Sequence, residues 1–359
     1  MAFLFFKRRR VKPIFVGSYG NDMTKGIYVF HLDIDNGELL KKKFYKSIAN
    51  PTALFKRERF IFACYKNSTG RNTDGGLWQY ASMDLQFGLA GKSTDHGKTY
   101  MGCYVDEDRT CAYAVDYYNG EVVVIPILKQ KIVKVVQTIK HEGSGPVEKR
   151  QEQAHPHFID MLPNKERLCV CDLGTDEIVL YRIIEKGRLE RDEENSFKVK
   201  PGSGPKKIVF APNGKFAYIL NELSNTVAVY AIEGNQFTFV EEVDTFPKEE
   251  DTGYSLAGDI VISEKGDYMF VSNRGHDSIT TFAIDQETGK LEDIEYIGTY
   301  ENPRAMIIVN DRWLVVADQK GGMLETFEIK RNERKGVLFE THFSYPVGEP
   351  VCLIEGRGF

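Results

Sequence analysis

The sequence has no Cys-x-x-Cys pair, no long apolar run, no surplus of basic residues and no sustained helical period. Each absence removes a class of protein. Six cysteines, at 64, 103, 111, 169, 171 and 352, lack zinc-site spacing. They read as free core thiols, with Cys169 and Cys171 on one face of a strand, and they suit a reducing, cytoplasmic compartment. Against 52 acidic residues stand 47 basic ones, a formal charge of −5. Nucleic acid is therefore not expected as the main partner, because binding it needs cations arrayed along a phosphate backbone. Nothing approaches the roughly 18 apolar residues of a membrane span, so no membrane partner is expected. The opening MAFLFFKRRR places apolar residues before basic ones, the reverse of a secretory signal. Residues 1–12 are expected to be a tail, and the sequon Asn67-Ser68-Thr69 to be irrelevant.

What the chain does contain is a repeat. VSNRGHDSITTFAI (271–284) has relatives in ILNELSNTVAVYAI (219–232), VCDLGTDEIVLYRI (170–183), AVDYYNGEVVVIPI (114–127) and VADQKGGMLETFEI (316–329). Longer-bend versions occur at 16–32 and 63–80. Aligned on one position, the seven copies fall at Ser18, Tyr65, Asp116, Asp172, Asn221, Asn273 and Asp318, in steps of 45 to 56 residues. That period matches four-stranded propeller blades. Each copy reads as a hairpin. Most are preceded by another short apolar run opened by proline, as in NPTALF (50–55), HPHFIDML (155–162), GPKKIVFA (204–211) and NPRAMIIV (302–309). AGDIVIS (257–263) is the version without proline.

The expected fold is all-β: a seven-bladed β-propeller with four antiparallel strands per blade, forming a single domain over residues 13–357. The first repeat begins at its second strand, and the chain finishes on an orphan first strand, EPVCLIE (349–355). That C-terminal strand is expected to join the N-terminal blade and close the ring, removing an unpaired edge.

Rotation about the propeller axis brings equivalent positions to one level. The residues after the strand-opening prolines are Thr52, His157, Lys206, Arg304 and Val351, with Asp259 near the same level. Those after the aligned anchors are Tyr19, Lys66, Tyr117, Leu173, Glu222, Arg274 and Gln319. Both sets should meet at one mouth of the channel. His157, Lys206, Glu222, Arg274 and Arg304 are therefore expected to converge from distant parts of the chain into one polar concavity. Tyr117 and Gln319 should border it. His155 is either a structural hydrogen-bonder or a further contact. His276 and Asp277 are expected to organise their own turn. The two Gly-Ser-Gly-Pro segments, at 143–146 and 202–205, lack the following helix and Gly-Lys-Ser/Thr of a phosphate loop, and read as turns.

These stretches carry a resemblance. HEGSGPVEKRQEQAHPH, DLGTDEIVLY, GSGPKKIVFAPNGKFAYILNELSNTVAVY, SNRGHDSI and NPRAMII resemble the lactonase family of seven-bladed propellers, which includes 6-phosphogluconolactonases and relatives of fungal carboxy-muconate lactonising enzymes. The resemblance implies a catalytic set of His157, Glu222 and Arg274. It implies substrate contacts at Lys206, Arg304, His155, Tyr117 and Gln319. No cofactor and no metal are implied. The partner implied is a small phosphorylated or carboxylated sugar lactone, taken by a monomer or weak homodimer. Where the family reads Gly-Pro-Arg-His, this chain reads Gly-Pro-Lys206-Lys207; lysine keeps the charge but loses the bidentate fork. Hydrolysis would use Glu222 or His157 as base and Arg274 at the oxyanion, with Lys206 and Arg304 on the anionic end of the substrate. Rival readings are a carboxy-muconate cycloisomerase, a lactonase for unphosphorylated sugar acids, and a binding propeller without chemistry.

Overall fold

The computed structural model describes residues 9–356 except 21–24, 47, 70–71, 84–85, 96, 109, 251–252 and 332–336. Residues 1–8 of the expected tail, residue 357 and the side chains of the 67–69 sequon lie outside that set. The described strands form seven antiparallel sheets, five of them four-stranded; in the third and fourth the outer strand is split into two short segments. The fifth blade shows the pattern: Pro205–Phe210, Phe216–Asn221, Thr226–Glu233 and Gln236–Asp244 in spatial order. The seven first strands contact one another in a closed cycle around the axis.

Both faces of each inner strand are covered by neighbouring blades, so second strands need no polar alternation. Cys111–Asp116, Phe216–Asn221 and Trp313–Asp318 are buried along their whole length. An outer strand such as Leu338–Pro346 alternates instead, because one edge meets water. The apolar core is correspondingly divided into seven clusters, one in each cleft between adjacent blades. All six cysteines are buried and free, and Cys169 and Cys171 share the cleft between blades four and five.

Closure occurs as the sequence suggested. Glu349–Glu355 pairs antiparallel with Val11–Tyr19, from Ile14 opposite Glu355 to Tyr19 opposite Glu349. That first strand reaches back to Val11, inside the stretch expected to be tail, and Arg9 pairs with Glu38 at 2.9 Å. Val11 and Lys12 pair with Asp33 and Leu32, and this sets the basic run beside the acidic turn at residues 33–38.

One irregularity recurs in every blade. The pairing of first and second strands slips at Thr52, Met101, His157, Lys206, Gly258-Asp259, Arg304 and Val351. A β-bulge inserts a residue and re-aims its side chain. Here seven bulges at equivalent positions turn one residue per blade toward the axis, and all seven border the central channel, a cavity of about 550 Å³. In blade six the level is taken by Gly258, one residue before the expected Asp259. A Cβ on Gly258 would lie 2.4 Å from the Pro303 carbonyl oxygen, so the site tolerates no side chain. Asp259 instead accepts from Lys207 Nζ at 2.6 Å and from the Met306 amide at 2.8 Å.

Candidate functional site

The second strand of every blade carries the aligned anchor residue, and all seven anchors are buried. The anchors of blades four and six hold the turns that follow them. The Asn273 side-chain amide donates to the Thr245 carbonyl at 3.1 Å and to the Ser278 and Thr280 hydroxyls. Asp172 accepts from the amides of His155 at 2.7 Å and Gly174 at 3.0 Å, and its other oxygen lies 2.6 Å from His141 Nδ1. A rigid anchor leaves the next residue in a defined direction, which is why Glu222 and Arg274 point into the mouth.

A cavity of about 400 Å³ opens there, lined by His157, Lys206, Glu222, Arg274 and Arg304 together with Tyr117, His155, Lys66, Arg150 and others. Met101, His157, Lys206 and Arg304 border both this cavity and the channel, and so form the floor between them. Glu222 is the hub. One carboxylate oxygen is 2.7 Å from Lys206 Nζ and 2.7 Å from Arg274 Nη2, and the other meets Arg150. Arg304 stands apart from this knot: its guanidinium donates to Gln319 Oε1 at 2.8 Å.

Burial and charge set the protonation states. Burial works against ionising Glu222, but the charges of Lys206, Arg274 and Arg150 outweigh it and hold the carboxyl well below its usual range. Burial, then the neighbouring Arg274, lowers Lys206 to about 7. Burial, then Lys206, lowers His157 to about 3, so its imidazole is neutral near pH 7. The cavity thus holds a fixed carboxylate, a lysine poised near neutrality, a neutral histidine and a surplus of cations: Lys66, Lys149, Arg150, Lys206, Arg274 and Arg304 face only Glu152 and Glu222. Such a bowl binds anions and stabilises developing oxyanions.

Of the residues expected at the site, seven line the cavity. Gln319 does not; it orients Arg304 from behind. His155 is largely structural, stacked on Tyr117 with ring centroids 4.3 Å apart and its Nδ1 2.9 Å from the Tyr117 carbonyl oxygen. Tyr117 also stands edge-on to His157 at 5.8 Å. His276 and Asp277 serve their turn: His276 Nδ1 meets the Ser278 hydroxyl at 2.7 Å, and Asp277 accepts from the Gly275 and Asn302 amides. The second Gly-Ser-Gly-Pro segment is a turn whose Gly202 and Gly204 amides donate to Asp176.

Arg150 was missed by sequence reasoning. It lies on the connection between the strands Gln137–Lys140 and Pro156–Met161, which has no periodicity. Gln151, fully buried, docks that loop. Its Nε2 donates to the Leu173 carbonyl and to Asp176 Oδ1, each at 2.8 Å, and Asp176 also holds the 202–204 turn. The only sequence signal was a basic residue beside polar ones in a long loop ahead of the His-Pro-His strand.

Among the described residues no group of three or more His, Cys, Asp and Glu is arranged to hold a metal ion. None of the described helices is long and apolar enough to cross a membrane.

Comparison with known proteins adds the family. Residues 13–355 match the sequence model described as Lactonase, 7-bladed beta-propeller. The chain is 30% identical over 350 residues to the 6-phosphogluconolactonase of Bacillus subtilis, covering 94% of this chain and 97% of the other. A Bacteroides fragilis crystal structure, described as a candidate 6-phosphogluconolactonase, superposes with a TM-score of 0.88 at 27% identity, over 97% of this chain and 98% of that one. The periplasmic gluconolactonase of Pseudomonas aeruginosa superposes with a TM-score of 0.87 at 25% identity, over 97% and 100% of the two chains.

Proposed function

We propose, from the premise that the chain belongs to the lactonase family of seven-bladed β-propellers, that it hydrolyses a sugar δ-lactone at the channel mouth, with 6-phosphogluconolactone as substrate. The observation that carries this reading is the knot of Lys206, Arg274 and Arg150 on the ionised Glu222, inside a cavity with excess positive charge. The family names the reaction class; the cations favour an anionic substrate. A phosphorylated lactone assigns the enzyme to the cytoplasm and to the pentose phosphate pathway, acting through residues 13–357 as one unit.

Ester hydrolysis needs a base for water, positive charge at the oxyanion and a proton for the leaving ring oxygen. Glu222 is too strongly held as a carboxylate to be a good base, and His157 too weakly basic. Lys206, lowered to about 7, is best matched to the task. In its neutral form Lys206 takes a proton from the attacking water as hydroxide bonds to the carbonyl carbon. Arg274 donates to the oxyanion. As the tetrahedral intermediate collapses, the C–O bond to the ring oxygen breaks and protonated Lys206 returns the proton to it. Glu222 fixes the Lys206 amine and the guanidinium groups of Arg274 and Arg150, and His157 presents a neutral ring to the reacting group. The departure from the family's Gly-Pro-Arg pattern thus supplies a group that titrates near neutrality, which arginine does not.

A second reading, a lactonase for unphosphorylated sugar acids, is favoured by the likeness to the Pseudomonas gluconolactonase. Turnover of 6-phosphogluconolactone and of gluconolactone, each measured above spontaneous hydrolysis, separates the two. Absence of enzyme-dependent hydrolysis of either would overturn both.

A further inference from the structure

The cations of the mouth are of two kinds. Lys206, Arg274 and Arg150 are committed to Glu222. Lys66 and Arg304 are committed to no carboxylate: neither makes an ion pair among the described residues, although both face the cavity. They flank the same ring, with Lys66 Nζ 4.7 Å and the Arg304 guanidinium 5.5 Å from the centroid of Tyr19. Burial lowers Lys66, the charge of Arg304 lowers it further, and Glu349 offsets this only in part, as the one acid that acts on it. The buried Tyr19 hydroxyl has no hydrogen-bond partner among the described residues. Arg304 is held in place by Gln319 at 2.8 Å. Two like charges over one ring repel each other unless an anion joins them.

The three residues come from blades seven, one and two, whereas Glu222, Lys206 and Arg274 come from blades five and six. Rotation about the axis sets the two groups on different sides of one cavity. A substrate with a reactive carbonyl at one end and an anion at the other spans that arrangement.

We propose that Lys66 and Arg304, which flank the Tyr19 ring, form an anion subsite that takes the distal phosphate of the substrate, which makes Lys66 a specificity residue. The proposal rests on the lactonase reading for its substrate but not for its anion. A phosphate monoester dianion accepts from both cations and offsets their charge, whereas a neutral hydroxymethyl group brings no charge to offset.

The test compares the parental chain with Lys66→Met, Arg304→Gln and the charge-conserving Lys66→Arg. For each, kcat/KM is measured on 6-phosphogluconolactone and on gluconolactone, and inorganic phosphate binding is measured by calorimetry. The two charge-removing variants are expected to lower the preference for the phosphorylated lactone by on the order of 10- to 100-fold, mainly through KM. Lys66→Arg should restore most of it. Inorganic phosphate should bind the parental chain and lose affinity in both charge-removing variants. Equal losses on the two lactones, or phosphate affinity unmoved in Lys66→Met, would overturn the subsite. Phosphate binding that depends on Lys66 without hydrolysis of any lactone would sustain the subsite and overturn the lactonase reading.

Discussion

Glu222 Oε2 lies 2.7 Å from both Lys206 Nζ and Arg274 Nη2, tying blade five to blade six across the floor of the mouth. Removing that charge strands three cations. Glu222→Gln is expected to cost on the order of 10² to 10³ in kcat/KM and about 3–5 kcal/mol in stability, as broken buried ion pairs do. Steady-state kinetics and thermal unfolding check the two effects. Parental activity and an unmoved Tm would contradict the central role given to Glu222.

Lys206, lowered to about 7, should write itself into the pH profile. Free enzyme with neutral Lys206 accumulates as pH rises through 7, so kcat/KM should rise through that point and then level. Lys206→Met removes the titrating amine and should abolish both the limb and most of the activity. A parental profile flat from pH 5.5 to 8.5, after subtraction of spontaneous hydrolysis, would contradict Lys206 as the base.

The ring positions were legible in the sequence where proline marked them. Pro51, Pro156, Pro205, Pro303 and Pro350 open first strands, so the next residue could be placed at the channel: Thr52, His157, Lys206, Arg304 and Val351. Met101 went unnoticed because Tyr100 stands where the proline would be. Asp259 was set one place off because the slip beside Gly258 is a property of backbone pairing and leaves no periodic trace. Arg150 escaped because its loop is positioned by a buried glutamine and a distant aspartate, contacts that neither periodicity nor spacing encodes.

That docking can be tested by itself. Gln151→Ala removes a fully buried donor to Leu173 and Asp176 and should cost about 1–3 kcal/mol. With the loop loosened, Arg150 no longer braces Glu222. KM should rise more than kcat falls, and amide exchange should quicken in residues 142–153 before it does in the blades. Unchanged exchange there would show that the loop does not depend on Gln151.

Stability should also respond to pH through Asp318 in blade seven. Burial, then Glu325, raises its carboxyl from 3.8 to about 9, so it keeps its proton in the folded chain. The folded state therefore binds more protons than the unfolded one between those values, and this group's contribution to stability is lost as pH rises from about 4 to about 9. Asp318→Asn carries no such proton and should flatten the decline. Urea midpoints at pH 6 and pH 9 check it: the parental chain should lose more than the variant, and equal losses would contradict the assignment.

The most direct measurement is a crystal structure with 6-phosphogluconate, the product of the proposed reaction. The account predicts the C1 carboxylate within hydrogen-bond reach of Lys206 and Arg274, and the phosphate between Lys66 and Arg304, all inside the mouth cavity. Product seated in the channel below the ring of bulge residues, or on the outer edges of the blades, would contradict it.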